Sequence, residues 1–295
     1  MDKKQKEADI KAAINWYPGH MTKAKRMMQE NLSLIDLIIE LVDARIPQSS
    51  RNPDINELGK NKSRIVLLNK SDLADPACNK QWINYFNMQG AYVLEINAKT
   101  GAGMKAIHGL VQEACREKIE RDRKRGIVNR PVRGMVAGIP NVGKSTFINS
   151  FAGKACTKTG NKPGVTKGKQ WIRLNKSLEL LDTPGILWPK FEDRQVGINL
   201  AFIGSINDDI IIMEELACNL IALLHEKYPE AIGDRYGIAV SDNPSLVLEE
   251  IARSRRCFLK GEQLDLEKAA NILMDDFRAG RLGRITLEQP ESGYQ

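Results

Sequence analysis

The segment from Gly138 to Thr146 combines the residue types and the spacing that bind phosphate groups. It reads Gly-Ile-Pro-Asn-Val-Gly-Lys-Ser-Thr, which fits the pattern G-x-x-x-x-G-K-S. Glycine lets the backbone wrap tightly, so that successive N–H groups converge on the α- and β-phosphates of a nucleotide. Lys144 would reach the β- and γ-phosphate oxygens, and Ser145 would offer its hydroxyl group to Mg²⁺. The nucleotide-binding residues that we predict in this loop are Pro140, Asn141, Val142, Gly143, Lys144, Ser145 and Thr146.

The tetrapeptide Asn69-Lys70-Ser71-Asp72 follows an apolar run and fits the guanine-recognition pattern N-K-x-D. The Asp72 carboxylate can accept two hydrogen bonds, from the guanine N1–H and from the exocyclic amine. Adenine has no such pair of donors and would leave a buried acid unpaired, so the motif discriminates between the two bases. Asn69 would tie the loop together, and Lys70 would lie along the plane of the base.

Two further segments support a guanine-nucleotide site. Asn97-Ala98-Lys99 is similar to the S-A-K loop whose backbone N–H contacts the guanine O6, although Asn replaces the usual Ser. Asp182-Thr183-Pro184-Gly185 fits D-x-x-G, in which Asp182 orders a Mg²⁺-bound water and the Gly185 N–H bonds the γ-phosphate. Thr166, in the preceding loop, would coordinate Mg²⁺ and sense the γ-phosphate. D-x-x-G alone is common and the S-A-K-like loop alone is a weak signal, but all four motifs at the strand ends of one predicted sheet predict a GTP site.

The elements that position these motifs follow from the hydrophobic pattern. Apolar, branched runs before each motif predict buried strands, and amphipathic segments between them predict helices, including one long helix from Gly103 to Arg125. The pattern predicts an α/β fold with a doubly wound, mostly parallel sheet over residues 1–195. Beyond residue 195 only helical periodicity remains, which predicts a small all-helical domain over 196–295. The predicted strands are 34–42, 64–68, 91–96, 132–137, 170–174 and 177–181.

The motifs occur in an unusual order. GTPases ordinarily run from the phosphate loop through D-x-x-G to N-K-x-D, whereas N-K-x-D comes first in this chain. A doubly wound sheet tolerates circular permutation when its original termini are close together. The join would be residues 103–133, and the end of the permuted domain would fall directly after D-x-x-G. The loop that senses the γ-phosphate would then be tied covalently to the helical domain.

Composition limits the cellular context. No apolar run approaches the roughly 18 residues of a membrane helix, so we expect no membrane span. The five cysteines are dispersed without a C-x-x-C pair, which favours a reducing compartment and a cytoplasmic protein. Residues 1–195 carry 34 Lys and Arg against 20 Asp and Glu, a balance of +14, whereas residues 196–295 carry 10 against 17, a balance of −7. The basic domain favours a polyanionic partner, most simply nucleic acid.

Taken together, these motifs resemble the circularly permuted GTPases of the ribosome biogenesis GTPase A (YlqF-type) family. The resemblance covers residues 16–195, and the helical remainder agrees in position and type only. It implies a GTPase that helps to mature the large ribosomal subunit and whose turnover that particle stimulates. The segments that carry the resemblance are Trp-Tyr-Pro-Gly-His-Met at 16–21, Asp-Ala-Arg-Ile-Pro at 43–47, Ser-Arg-Asn-Pro at 50–53, the N-K-x-D motif, the phosphate loop, and Asp-Thr-Pro-Gly-Ile-Leu-Trp-Pro-Lys at 182–190.

Two roles remain open between alternatives. Many GTPases place a Gln after D-x-x-G to orient the attacking water, but Ile186 stands there and cannot hydrogen-bond it. The resemblance suggests that His20 does so, although His20 could instead contact RNA or support structure. The resemblance also implies that Asn141 helps to bind an activating K⁺, although Asn141 could instead brace the loop. The catalytic residues that we predict are His20, Lys144, Thr166 and Gly185, and the metal ligands are Ser145, Thr166 and Asp182 for Mg²⁺ and Asn141 for K⁺.

Three functional interpretations fit the sequence. The first is a GTP-hydrolysing assembly factor for the large ribosomal subunit, with GTP, GDP, ribosomal RNA and ribosomal proteins as partners. The second is an RNA-binding scaffold whose conformation GTP controls and in which hydrolysis is incidental. The third, a GTPase that serves an RNA-modifying enzyme, is disfavoured because the chain has no second catalytic constellation.

Overall fold

Six strands among the residues that the structure describes form one central sheet. The structure, a computed structural model, describes residues 26–127, 130–153, 170–183, 185, 187 and 193–290. The strands are β1 (Leu37–Asp43), β2 (Ser63–Asn69), β3 (Tyr92–Glu95), β4 (Val132–Ala137), β5 (Gln170–Arg173) and β6 (Leu178–Asp182). They lie in the order β3-β2-β1-β4-β6-β5. Every neighbouring pair is parallel except β5 and β6, which are antiparallel. The predicted mostly parallel sheet is confirmed.

The sheet is covered by helices on its faces, which explains its sequence pattern. All seven residues of β1 are buried, as expected for a central parallel strand with both faces covered. Helix α2 begins with Asp75 as its N-cap and Pro76 in its first turn, and it buries Trp82 and Phe86. The α-helices whose two ends are described in this part are α1 (Pro53–Leu58), α2 (Pro76–Met88), α3 (Ile107–Ala114), α4 (Arg116–Lys124) and α5 (Lys144–Ala152), and residues 26–31 are also helical.

The prediction of one long helix from Gly103 to Arg125 is wrong. The structure has two helices, α3 and α4, which are separated at Cys115, where φ is −105° and ψ is 12°. Two observations account for the break. The Ser63 hydroxyl donates to the carbonyl of Ala114, which competes with continuation of the helix. The amphipathic pattern of α3 also gives way to a segment that is almost entirely charged.

From residue 193 to residue 278 the described chain consists mainly of helices. Its helices are α6 (Arg194–Phe202), α7 (Met213–Lys227), α8 (Glu230–Tyr236), α9 (Pro244–Ser254) and α10 (Leu266–Arg278). Four of them match the helical periodicity of the sequence at 198–203, 214–227, 246–256 and 264–279, and α8, with only seven residues, was not predicted. The predicted domain boundary between residues 195 and 196 falls inside α6 and stays a prediction.

The chain after α10 returns to the sheet. Ile285 N–H donates to the carbonyl of Leu73, and Leu287 N–H donates to the carbonyl of Arg45, at 3.0 and 2.8 Å. The carbonyl of Glu288 accepts from the Trp82 indole N–H. The last described segment therefore packs against loops at the carboxyl ends of β1 and β2.

No helix among the described residues is long and apolar enough to cross a membrane. The four cysteines in that part of the chain are free thiols, and three of them, Cys78, Cys115 and Cys257, are buried.

Candidate nucleotide site

The phosphate loop connects β4 to α5 at the carboxyl edge of the sheet, where α/β folds bind ligands. Two of its glycines are needed for its shape. Gly138 has φ 156°, and a Cβ there would lie 2.7 Å from the carbonyl oxygen of Leu41. Gly143 has φ 102°, and a Cβ there would lie 2.5 Å from the amide nitrogen of Asn69. Any side chain at either position would collide with a neighbouring strand end.

A buried lysine and a buried aspartate face each other across this edge. Lys144 donates from Nζ to the carbonyls of Gly138 and Ile139, both at 3.0 Å. Burial lowers the pKa of Lys144 to about 8, and the negative charge of Asp182 partly offsets this effect. Burial raises the pKa of Asp182 to about 6, against the opposing influence of Lys144. The pair gives the site one positive and one negative group with little solvent around them.

The donor set fits Mg²⁺. Neither carboxylate oxygen of Asp182 has a hydrogen-bond partner among the described residues, although both are buried. Ser145 lies in the first turn of α5, directly after Lys144. Hydroxyl, carboxylate and phosphate oxygens are the ligands that this hard cation takes, and it commonly shares them with substrate phosphates. The arrangement can therefore hold Mg²⁺ against a bound nucleotide.

Gly185 lies directly against the phosphate loop. A Cβ on it would be 2.8 Å from the Lys144 ammonium and 2.9 Å from the backbone of Pro140. Only glycine permits this approach, which brings the D-x-x-G backbone beside the lysine that would hold the γ-phosphate.

Asn69 joins the phosphate loop to the loop after β3. Its amide nitrogen donates to the carbonyl of Val142 at 2.8 Å, and its amide oxygen accepts from the N–H of Ala98 at 3.0 Å. Its side chain is buried. The Ala98 N–H is therefore engaged within the protein, and a contact with the guanine O6 would have to share this donor.

The Asn that replaces Ser in the S-A-K-like loop has a structural use. Asn97 accepts through its side-chain oxygen from the N–H groups of Lys99 and Thr100, at 2.9 and 3.0 Å. This Asx-type turn shapes the loop. The spacing of the motif is thus kept with a different side chain.

Lys70 connects the guanine motif to two other loops. It has φ 58°, and its Nζ donates to the carbonyl of Asn141 at 3.1 Å and pairs with Asp43 at 2.9 Å. Arg45 pairs with Asp43 through Nε and Nη2, which donate to the two carboxylate oxygens at 2.9 and 2.8 Å. Burial alone would raise the pKa of Asp43, but Arg45 and Lys70 hold it well below its usual range. Asp72, by contrast, is exposed, so a nucleotide base can approach its carboxylate.

The helical region also contacts the site, which the sequence did not indicate. Ser205 donates from its hydroxyl to the carbonyl of Pro140 at 2.8 Å, and Asn141 donates from its amide to the carbonyl of Gly204 at 2.6 Å. Arg284 donates to the carbonyls of Ser71 and Ala74. These partners are 63 to 213 residues apart, and nothing in the local pattern marks them.

The described residues bring together most of the predicted nucleotide-binding positions at one edge of the sheet. His20 and Thr166, as well as Pro184 and Ile186, lie outside the described residues. Their predicted roles stay predictions.

Comparisons with known proteins agree with this geometry. A family model described as 50S ribosome-binding GTPase matches residues 133–236. Ribosome biogenesis GTPase A of Priestia megaterium is 47% identical over 284 residues, which cover 96% of this chain and 99% of that protein. The protein of the same name from Thermotoga maritima is 31% identical and covers 94% of this chain. The crystal structure of GNP-bound YlqF from T. maritima matches with a TM-score of 0.65 at 29% identity, covering 91% of this chain and 99% of that one.

Proposed function

The chain belongs to the ribosome biogenesis GTPase A family, and we propose that it is an assembly factor for the large ribosomal subunit whose GTP turnover that particle stimulates. It is a circularly permuted P-loop GTPase that converts GTP and water to GDP and phosphate. The single observation that carries the proposal is the meeting of the phosphate loop, the N-K-x-D motif and D-x-x-G at one sheet edge, with a helical region attached to them. We further propose that it works in the cytoplasm.

Residues of the phosphate loop and of D-x-x-G bind the phosphates and Mg²⁺. Lys144 holds the β- and γ-phosphates, and the backbone N–H of Gly185 binds the γ-phosphate, as its position against Lys144 allows. Ser145, Asp182 and Thr166 would hold Mg²⁺, which when bound would neutralise charge on the phosphate oxygens. Because Asp182 is buried beside a lysine, removal of water strengthens these interactions.

Base specificity rests on the guanine motif. Asp72 receives the two guanine donors, and Lys70 borders the base while its ammonium stays on Asp43. Asn69 keeps the loops of the phosphate and base subsites at a fixed distance from each other. Asn97, Ala98 and Lys99 complete the base subsite from the loop that Asn69 joins to the guanine motif.

His20 is the residue that we propose to orient the attacking water. Ile186 occupies the position where many GTPases have Gln, and an aliphatic side chain cannot accept a hydrogen bond from water. A neutral imidazole can. Slow turnover without the partner, and faster turnover when the partner brings His20 to the attacking water, would follow.

Potassium is the second proposed cofactor. Asn141 would contribute to its binding beside the phosphates, where a monovalent cation adds positive charge near the bridging oxygens. Equal rates in KCl and NaCl would refute this role.

The RNA partner has a candidate surface at the amino-terminal ends of the strands, opposite the nucleotide loops, where Lys118 of α4 pairs with Asp36 before β1. Helix α4 and the chain that follows it hold eight Lys and Arg against three acids over residues 116–133. Among them Arg121, Arg123, Lys124 and Arg125 are exposed, whereas Lys118 is used in ion pairs with Asp36 and Asp122. Exposed basic side chains away from the nucleotide loops fit phosphate groups of RNA.

The alternative is an RNA-binding scaffold in which GTP controls conformation and hydrolysis is incidental. The two functions differ in whether the partner accelerates turnover. The test is GTP hydrolysis in KCl, with and without purified large subunits, by the wild type and by His20→Ala. A subunit-dependent rise that the variant loses supports the assembly factor. Tight subunit binding without any rise in either protein supports the scaffold, and a rise that the variant keeps removes His20 from the chemistry.

A further inference from the structure

The carbonyl groups of the phosphate loop need partners on its outer side. A loop that turns its N–H groups inward to wrap phosphate must turn carbonyl groups outward, and buried carbonyls without partners are costly. Three consecutive carbonyls here each accept a bond from a different side chain. Val142 accepts from Asn69 at 2.8 Å and Asn141 from Lys70 at 3.1 Å, both within the guanine motif. The third, Pro140, accepts from Ser205 at 2.8 Å.

Ser205 belongs to the helical region, in the turn that ends α6. Gly204 has φ 72° in this turn, and Ser205 N–H returns to the carbonyl of Leu200 at 2.9 Å. The Ser205 side chain is buried, and its hydroxyl reaches the carbonyl of Pro140. In the opposite direction, the Asn141 amide donates to the carbonyl of Gly204 at 2.6 Å. Two bonds of opposite polarity therefore join two residues of the loop to two residues of the turn.

The turn itself is fixed from behind by Arg278, the last residue of α10. Its guanidinium donates to the carbonyls of Phe202 and Ala201, at 3.0 and 2.8 Å, and pairs with Asp208 through two bonds. A Cβ on Gly204 would lie 3.4 Å from this guanidinium. The turn is thus held between the phosphate loop and α10.

The loop is enclosed on its other side by the D-x-x-G glycine. Gly185 lies against the backbone of Pro140, so Pro140 is held between the γ-phosphate-sensing backbone and the helical region. We infer that Gly204 and Ser205 form a positioning element of the phosphate loop. Ser205 supports the carbonyl of Pro140 in the same way as Lys70 supports that of Asn141 and Asn69 supports that of Val142. The helical region is then part of the nucleotide site by direct contact as well as by covalent connection.

The consequence is reciprocal coupling. Nucleotide that orders the phosphate loop holds the turn in place, and a partner that pulls the turn away weakens nucleotide binding by the same factor. Ser205 acts through the loop and touches no reacting atom, which makes it a positioning residue. This goes beyond the proposed ribosomal function and depends only on guanine-nucleotide binding.

The test is equilibrium binding of mant-GDP in Mg²⁺ and sodium buffer to the full chain. Ser205→Ala should bind about three- to tenfold more weakly than the wild type, because one buried carbonyl of the loop loses its donor. The matched control is Ser63→Ala, which removes a hydroxyl-to-carbonyl bond of 2.6 Å at the opposite edge of the sheet. It should bind mant-GDP normally.

A second variant removes the other hydrogen bond between the loop and the turn. Asn141 has φ 59°, so Asn141→Gly keeps the backbone conformation while removing the amide that binds Gly204. It should also weaken mant-GDP binding.

A purely structural role of Ser205 would lower the melting temperature equally with and without GDP, whereas a positioning role shrinks the rise in melting temperature that GDP causes. The inference is overturned if Ser205→Ala and Ser63→Ala bind mant-GDP alike and show the same GDP-induced rise.

Discussion

Replacing Asn69 tests whether the guanine motif also holds the phosphate loop. In Asn69→Ala, the carbonyl of Val142 and the N–H of Ala98 both lose their protein partner. An unpaired buried group costs about 1–3 kcal/mol, so the two together cost about 2–6 kcal/mol of loop order. If the nucleotide must restore that order, even about 2 kcal/mol weakens binding roughly 30-fold, since 1.4 kcal/mol is tenfold.

The isosteric variant Asn69→Asp gives the sharper expectation. It keeps an oxygen toward Ala98 but places a second oxygen against the carbonyl of Val142, where the amide donated at 2.8 Å. We therefore expect Asn69→Asp to bind worse than Asn69→Ala at pH 8, despite its closer shape. Burial and the neighbouring carbonyl raise the pKa of such a carboxyl group, and its protonated form regains a donor. As the pH falls, the affinity of Asn69→Asp for the nucleotide should therefore rise relative to that of Asn69→Ala.

The assay is fluorescence titration with mant-GDP between pH 5.5 and 8. Asn271→Ala, which removes an exposed amide of α10 that bonds only its own helix, is the control and should bind normally. Equal mant-GDP affinities of Asn69→Ala and Asn271→Ala, or wild-type affinity of Asn69→Asp at pH 8, would refute a role of Asn69 in holding the phosphate loop.

Three further variants test other parts of the structure. Gly143→Ala should abolish mant-GDP binding while circular dichroism stays near that of the wild type, because its φ of 102° and the Asn69 amide 2.5 Å from the new Cβ both oppose a side chain; binding within twofold of the wild type would contradict this. Burial raises the pKa of Glu288, so the folded state binds more protons than the unfolded state and stability is lost as the pH rises through the folded pKa. Urea unfolding should show the wild type gaining stability relative to Glu288→Gln from pH 8 to pH 5, and a constant difference would argue against it. Alanine at the three basic positions of 121–124 should reduce the slope of log K against log [KCl] for single-stranded RNA by about 2, whereas Arg253→Ala, at a residue paired with acids of its own helix, should leave it unchanged.

The sequence was sufficient for much of the sheet because buried parallel strands have a local signature. The apolar runs around β1, β2 and β4 stand directly before polar motifs, and parallel strands bring such motifs to one edge. The short helices α1 and α8 and the break at Cys115 escaped prediction. A break of this kind depends on the Ser63 hydroxyl, which lies 51 residues away from the carbonyl that it binds.

The sequence by itself determined the chemistry of the site: phosphate loop, guanine motif, D-x-x-G and their permuted order are all local patterns of residue type and spacing. Only the tertiary structure decided how these loops hold one another. Asn69 reaches a carbonyl 73 residues away, and Asn141 is bonded to a turn 63 residues away. Every residue type has a backbone carbonyl, so a hydrogen bond to that carbonyl requires no particular residue at the accepting position and cannot be predicted from the sequence there. For this reason the contact between the helical region and the phosphate loop could be found only in the folded chain.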